Sequence, residues 1–145
     1  MKKYLISLLG CSLLLLWTEQ LAAQYTLEVV VEGIRVEKKG VISLGIFQKG
    51  SDFPAVGAEL KGVRLKVEGE EMRYAFTNLP KGDYAISLFH DENDNLKLDT
   101  NLLGLPKEGY GFSKNFRPRM GPPNFEDVAI DVSSGDQKVY ISVRY

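Results

Sequence analysis

Seven short runs in which apolar and polar side chains alternate constrain this chain more than any other feature. Leu27, Val29 and Val31 alternate with Glu28, Val30 and Glu32. Ile42, Leu44 and Ile46 do so with Ser43 and Gly45, and Leu65 and Val67 with Arg64, Lys66 and Glu68. The pattern recurs at Tyr74 and Phe76, at Tyr84, Ile86 and Leu88, at Val128, Ile130 and Val132, and at Val139, Ile141 and Val143. A period of two puts every second side chain on one face of an extended strand. Turn signals separate the runs at Lys39-Gly40, Glu68-Gly69-Glu70, Asn78-Leu79-Pro80-Lys81-Gly82 and Ser133-Ser134-Gly135-Asp136. No long amphipathic helix competes; Ala55 to Lys61 would make at most one helical turn. The expected fold is all-β: a single antiparallel β-sandwich of about seven strands, immunoglobulin-like or prealbumin-like in topology.

The first 23 residues read as a secretory leader. Lys2 and Lys3 precede an apolar run from Tyr4 to Trp17, and Leu21-Ala22-Ala23 supplies small residues for cleavage. The run is shorter than the roughly 20 residues that span a bilayer, so no stable membrane insertion is expected after cleavage. Leu8-Leu9-Gly10-Cys11 also resembles a lipoprotein box, but cleavage there would leave half the apolar run behind. The expected mature domain is 24–145, exported to the periplasm or beyond. Cys11 is the only cysteine, so that domain would hold no disulfide and no thiolate ligand. Without Lys2, Lys3 and Glu19 it carries 16 basic and 18 acidic residues, which gives no electrostatic case for nucleic acid.

One interval breaks the alternation. From Asp91 to Asp127 no clean strand runs, over 37 residues. A loop that long inside a compact domain is functional or held by something specific. Its aromatics Tyr110, Phe112, Phe116 and Phe125, set among Gly and Pro, suggest an ordered cap on the sandwich. At its start, Asp91, Asn93, Asn95 and Asp99 occupy places one, three, five and nine of a calcium-loop pattern. Calcium is the cofactor such a set would take, with Lys97 offering its carbonyl. Leu102 stands where an EF-hand has its bidentate Glu, and Glu108 is the nearby substitute. The competing reading is a turn rich in Asp and Asn, whose side chains bond their own backbone and need no ion.

The turn Asn78-Leu79-Pro80-Lys81-Gly82-Asp83-Tyr84 resembles those of prealbumin-like and carboxypeptidase-regulatory-type sandwiches. More specific are Phe89-His90-Asp91-Glu92-Asn93, Asp99-Thr100-Asn101, Gly104 to Ser113 and Gly121-Pro122-Pro123. These resemble the exported bacterial family called domain of unknown function 2141, over about Leu27 to Tyr145. The resemblance implies a secreted single-domain β-sandwich and no established activity. In that family the loop usually carries Gly at its sixth place, where this chain has Leu96.

Other residues admit two readings each. His90, the only histidine, shares strand parity with Tyr84, Ile86 and Leu88. It would be a general base, a metal ligand or a ligand contact, or else a structural histidine that pins the loop. Tyr110 and Phe112 would either contact a ligand or fill the edge of the core. Arg117 and Arg119 flank Pro118 and could hold an anionic group, although loop arginines are more often solvated or paired. A triad of Ser113, Asp91 and His90 lacks any nucleophile-elbow sequence. The leading expectation is a non-catalytic binding or structural module of the cell envelope, with a protein or glycan partner. The alternative is a small secreted hydrolase using His90 with Asp91 or Glu108.

Overall fold

The computed structural model describes residues 23–145. The expected leader, except Ala23, and Cys11 lie outside the described residues. Eight strands follow in chain order: β1 (Gln24–Glu32), β2 (Val41–Gln48), β3 (Lys61–Lys66), β4 (Glu71–Pro80), β5 (Gly82–Asp91), β6 (Tyr110–Phe112), β7 (Ile130–Val132) and β8 (Gln137–Ser142). One helical turn, α1 (Phe125–Val128), precedes β7. The strands form two sheets, ordered β4-β1-β8 and β3-β2-β5-β6, with β7 also paired to β5.

Alternation decides which faces meet. Leu27, Val29 and Val31 of β1 pack with Ile42, Leu44 and Ile46 of β2 and with Tyr84, Ile86 and Leu88 of β5. All are essentially inaccessible to water. Each such aliphatic or aromatic side chain contributes about 1.5–3 kcal/mol when buried, so the sandwich holds without disulfides. The Asn78–Tyr84 turn closes on itself: Tyr84 is fully buried and its hydroxyl donates to the Pro80 carbonyl at 2.6 Å.

Two details depart from the simple antiparallel expectation. β8 lies parallel to β1, pairing Leu27 with Gln137 and Val31 with Ile141. Parallel neighbours need a crossover rather than a hairpin, and here the chain leaves β7 in the other sheet to reach β1. The expected strand at Val128–Val132 shortens to β7, because Val128 ends the helical turn.

β5 is covered on both sides. Its outward residues Ala85, Phe89 and Asp91 are buried like its inward ones. Phe47, Phe112, Phe125 and Val128 form a second apolar cluster with Ala85 on that outer face. Phe53 joins it with edge-on rings 5.1 Å from Phe47 and 6.1 Å from Phe125. The aromatics of the long loop therefore pack as a cap.

β6 also ties the two sheets together. Tyr110 pairs with Phe89 of β5, and it exchanges two backbone hydrogen bonds of 2.8 Å with Arg144. Gly109 and Gly111 are required by this approach. A Cβ on Gly109 would lie 2.6 Å from both Val143 Cγ1 and Tyr145 Cε1, and one on Gly111 2.8 Å from Ile141 Cγ2.

Candidate functional site

The loop after β5 is a hydrogen-bonded knot around Asp91. Asp91 follows His90 along the strand, so it points to the opposite, outer face, and it is fully buried there. Its Oδ1 accepts the Asn95 amide at 3.0 Å. Its Oδ2 accepts the Leu96 amide at 2.9 Å and the Arg64 guanidinium at 3.1 Å. Burial pushes the Asp91 pKa up, but the two amides and Arg64 outweigh it and hold the carboxyl below its ordinary value. Arg64 bonds Asp94 as well.

The remaining donors turn on one another. Asn93 Nδ2 donates to Asp99 at 2.7 Å, and Asn95 Nδ2 to both Asp99 oxygens at 3.0 Å. The Asn93 and Asn95 oxygens accept the amides of Asn95 and Lys97. Reversing either amide would set oxygen against carboxylate oxygen with no proton between, so the network fixes their orientation. The hydrogen bonds from the Asn95 and Asn93 side chains hold the Asp99 carboxyl below its ordinary value. Buried Glu108 closes the loop by accepting the Glu92 and Asp99 amides, each at 2.9 Å.

The loop thus brings together Asp91, Asn93, Asn95, Asp99 and Glu108, with Lys97 joined through its amide rather than its carbonyl. As a calcium cage the donor set fits poorly. The oxygens of Asp91, Asp99 and Glu108 already face N–H groups, and the Arg64 guanidinium lies against Asp91 and Asp94. No group of three or more acidic, His or Cys side chains gathers as a metal site among the described residues.

Leu96, at the sixth place, adopts φ +70°. That left-handed backbone costs a residue with a Cβ roughly 1–2 kcal/mol, and glycine largely escapes the cost. The Leu96 side chain is mostly exposed. Leu96→Gly is therefore expected to raise stability by about 0.5–1 kcal/mol. A rise in the urea midpoint at constant m-value would show it; an unchanged or lower midpoint would mean that the loop carries no strain there.

His90 sits on the other face, wholly buried at the end of the core. Its Nδ1 lies 2.7 Å from the Tyr145 hydroxyl, and its Nε2 bonds the Lys39 carbonyl. A carbonyl only accepts, so Nε2 carries the proton and Nδ1 accepts from Tyr145. The same phenol oxygen accepts the Arg35 amide at 2.9 Å, and the Arg35 guanidinium lies over the ring. Burial raises the Tyr145 pKa, which keeps that proton on the phenol. Both ring nitrogens are thus engaged away from Asp91 and Glu108. Ser113 is equally committed: its hydroxyl accepts the Ile86 amide and donates to the Val128 carbonyl, pinning the cap to β5.

Tyr110 and Phe112 lie elsewhere, in the wall of an apolar groove of about 570 Å³ on the outer face of the larger sheet. Leu98, Leu103, Leu105 and Pro106 line it from one loop. Pro118, Met120 and Pro122 from a second loop, and Pro54 and Val56 from a third, complete the lining. Its only charged lining residue is Arg119. Leu103 and Met120 stand almost fully in water at its rim, 83% and 94% exposed. The volume is that of a small-molecule site. His90, expected beside Tyr110 and Phe112 as a ligand contact, is turned into the core.

A family model described as "Uncharacterized protein conserved in bacteria (DUF2141)" matches residues 29–140. The chain belongs to this family. No curated protein and no solved structure matches it. The DUF2141 match runs from within β1 to within β8, and so includes the knot, the groove and His90 with its Lys39 contact, while Tyr145 lies beyond the matched residues. Three parts of this DUF2141 chain's architecture have no local sequence signal. Arg64 reaches Asp91 diagonally across β2, Tyr145 meets His90 from 55 residues away, and the groove forms only when three separate loops converge.

Proposed function

We propose that the chain is an exported, non-catalytic binding module of the bacterial cell envelope, and that the groove beside Tyr110 and Phe112 is its ligand site. The observation that carries this reading is the groove itself. Soluble domains seldom leave large apolar side chains in water around a concavity without a partner for them. Export rests on the Lys2-Lys3 start, the Tyr4–Trp17 run and the small residues before Gln24. Of the two envelope partners suggested by the sequence, a glycan suits the lining less. Its polar side chains are only Ser87, Thr100, the Tyr110 hydroxyl and Arg119. The hydrolase alternative draws less support, since His90, Ser113 and Glu108 spend their polar atoms on structure. The knot is the rigid base from which the Thr100–Pro106 side of the groove projects.

The test is titration with a neutral, environment-sensitive fluorophore such as N-phenyl-1-naphthylamine. Saturable binding near one equivalent is expected. Leu103→Lys with Met120→Lys should weaken it by on the order of tenfold, through loss of apolar contact. Both side chains are exposed, so thermal stability should not change. Absence of saturable binding to the folded protein would overturn the reading.

A further inference from the structure

We infer that the groove takes the anion of a long-chain fatty acid, with the alkyl chain along Leu98, Leu103, Leu105 and Met120 and the carboxylate at Arg119. This rests on the groove being the ligand site and adds the chemistry of the ligand. A volume of about 570 Å³ suits one small molecule better than the broad face of a protein. The lining offers an alkyl chain Leu, Met, Pro and aromatic surface and few hydrogen-bonding partners, so an unbranched apolar body is matched and a polar one is not.

The charge then fixes one end. Arg119 is the single charged group of the lining, and no carboxylate shares the groove with it. Arg119 forms no ion pair among the described residues, and neither does Arg117. The acids of the same loop have other partners: Asp91 and Asp94 have Arg64, Glu92 Lys38, Asp99 the Asn93 and Asn95 amides, Glu108 two backbone amides, Glu126 Lys49, and Asp127 the Asn124 amide. An exposed guanidinium on an apolar lining is complementary to a carboxylate, which it can engage in bidentate fashion. Leu103 and Met120, both lining residues that are largely exposed, offer apolar surface to an alkyl chain.

The experiment is displacement of the neutral fluorophore from the full domain, at low salt and pH 8, by dodecanoate, dodecanol and dodecyltrimethylammonium. Dodecanoate is expected to bind about fivefold tighter than dodecanol, the upper range for a partly exposed ion pair, and the cation weakest. In Arg119→Gln the preference should vanish while dodecanol affinity stays the same, and added salt should erode it in the unaltered protein. Equal binding of dodecanoate and dodecanol would overturn the fatty-acid inference and leave the groove as an apolar site. Preference for the cation, or a preference that survives Arg119→Gln, would overturn it too. Failure of the fluorophore itself to bind would remove the groove reading beneath it.

Discussion

Asp91→Ala is expected to cost about 3 kcal/mol of stability, which is large against the few kcal/mol that hold a domain of this size. The carboxylate is fully buried and serves two backbone amides and a guanidinium. Its removal leaves the Leu96 amide unpaired, the Asn95 amide with only the Asn93 oxygen at 3.2 Å, and Arg64 bound only to Asp94. The pH dependence has a definite sign. An Asp unfolds to an ordinary pKa of about 3.9, and the folded Asp91 lies below it. Between the two values the unfolded chain binds more protons than the native one, so stability falls as the pH falls. The contribution is complete above about pH 4 and is lost as the pH drops through the folded pKa. Urea unfolding at pH 7 and at steps down to pH 2 should show a steeper acid loss in the unaltered protein than in Asp91→Ala. Parallel profiles would mean that folding does not lower the Asp91 pKa. Calcium separates the other reading of this loop. With the oxygens already served by N–H groups, millimolar calcium against chelator should leave the melting temperature unchanged. A rise of several degrees that Asp91→Ala abolishes would make calcium a structural ligand by mass action on the native state.

The sandwich was legible because burial of one face imposes a two-residue period, and that period is written locally in β1, β2 and β5. Where pairing is set by distant partners the period fails. β6 is three residues long, too short to display alternation, and is held by Phe89 on one side and Arg144 on the other. Val128 continues an alternating pattern, yet it ends a helical turn because Asn124 and Asp127 favour one there. The knot was half legible. Asx residues at alternate positions announce a turn with side-chain bonds to the backbone, but nothing near Asp91 in the sequence points to Arg64. The glycines of the long loop show the same limit. Gly109 and Gly111 suggest close approach, and the body that approaches is the chain's own Ile141–Tyr145 stretch rather than a ligand. The groove was least legible, because its apolar residues come from segments with no shared periodicity.

His90→Leu is expected to cost about 2–4 kcal/mol although it places an apolar side chain in an apolar neighbourhood. The reason lies in what the imidazole touches. The turn at Lys39-Gly40, with φ of +56° and +74°, presents the Lys39 carbonyl to Nε2. That turn fits only because Gly40 lacks a Cβ, which would run into the Asp91 backbone carbonyl. On the other side of the ring, Tyr145 donates to Nδ1 and accepts from the Arg35 amide. One imidazole therefore joins the end of β5 to the loop before β2 and to the stretch after β8. Leucine would take from the Lys39 carbonyl and the Tyr145 hydroxyl proton the partner that each has in the part-buried junction. Tyr145→Phe removes one of those two bonds by itself and should cost about 1–2 kcal/mol. The double variant should then be less unstable than the sum of the singles by about 1 kcal/mol, because both remove the same bond. Urea midpoints of the four proteins measure this. Additive losses would mean that the ring and the phenol act independently, and a neutral His90→Leu would leave the junction held by apolar packing alone. Since the ring reaches neither the knot nor the groove, fluorophore binding should persist in every variant that remains folded, which keeps the junction's structural role separable from the groove's.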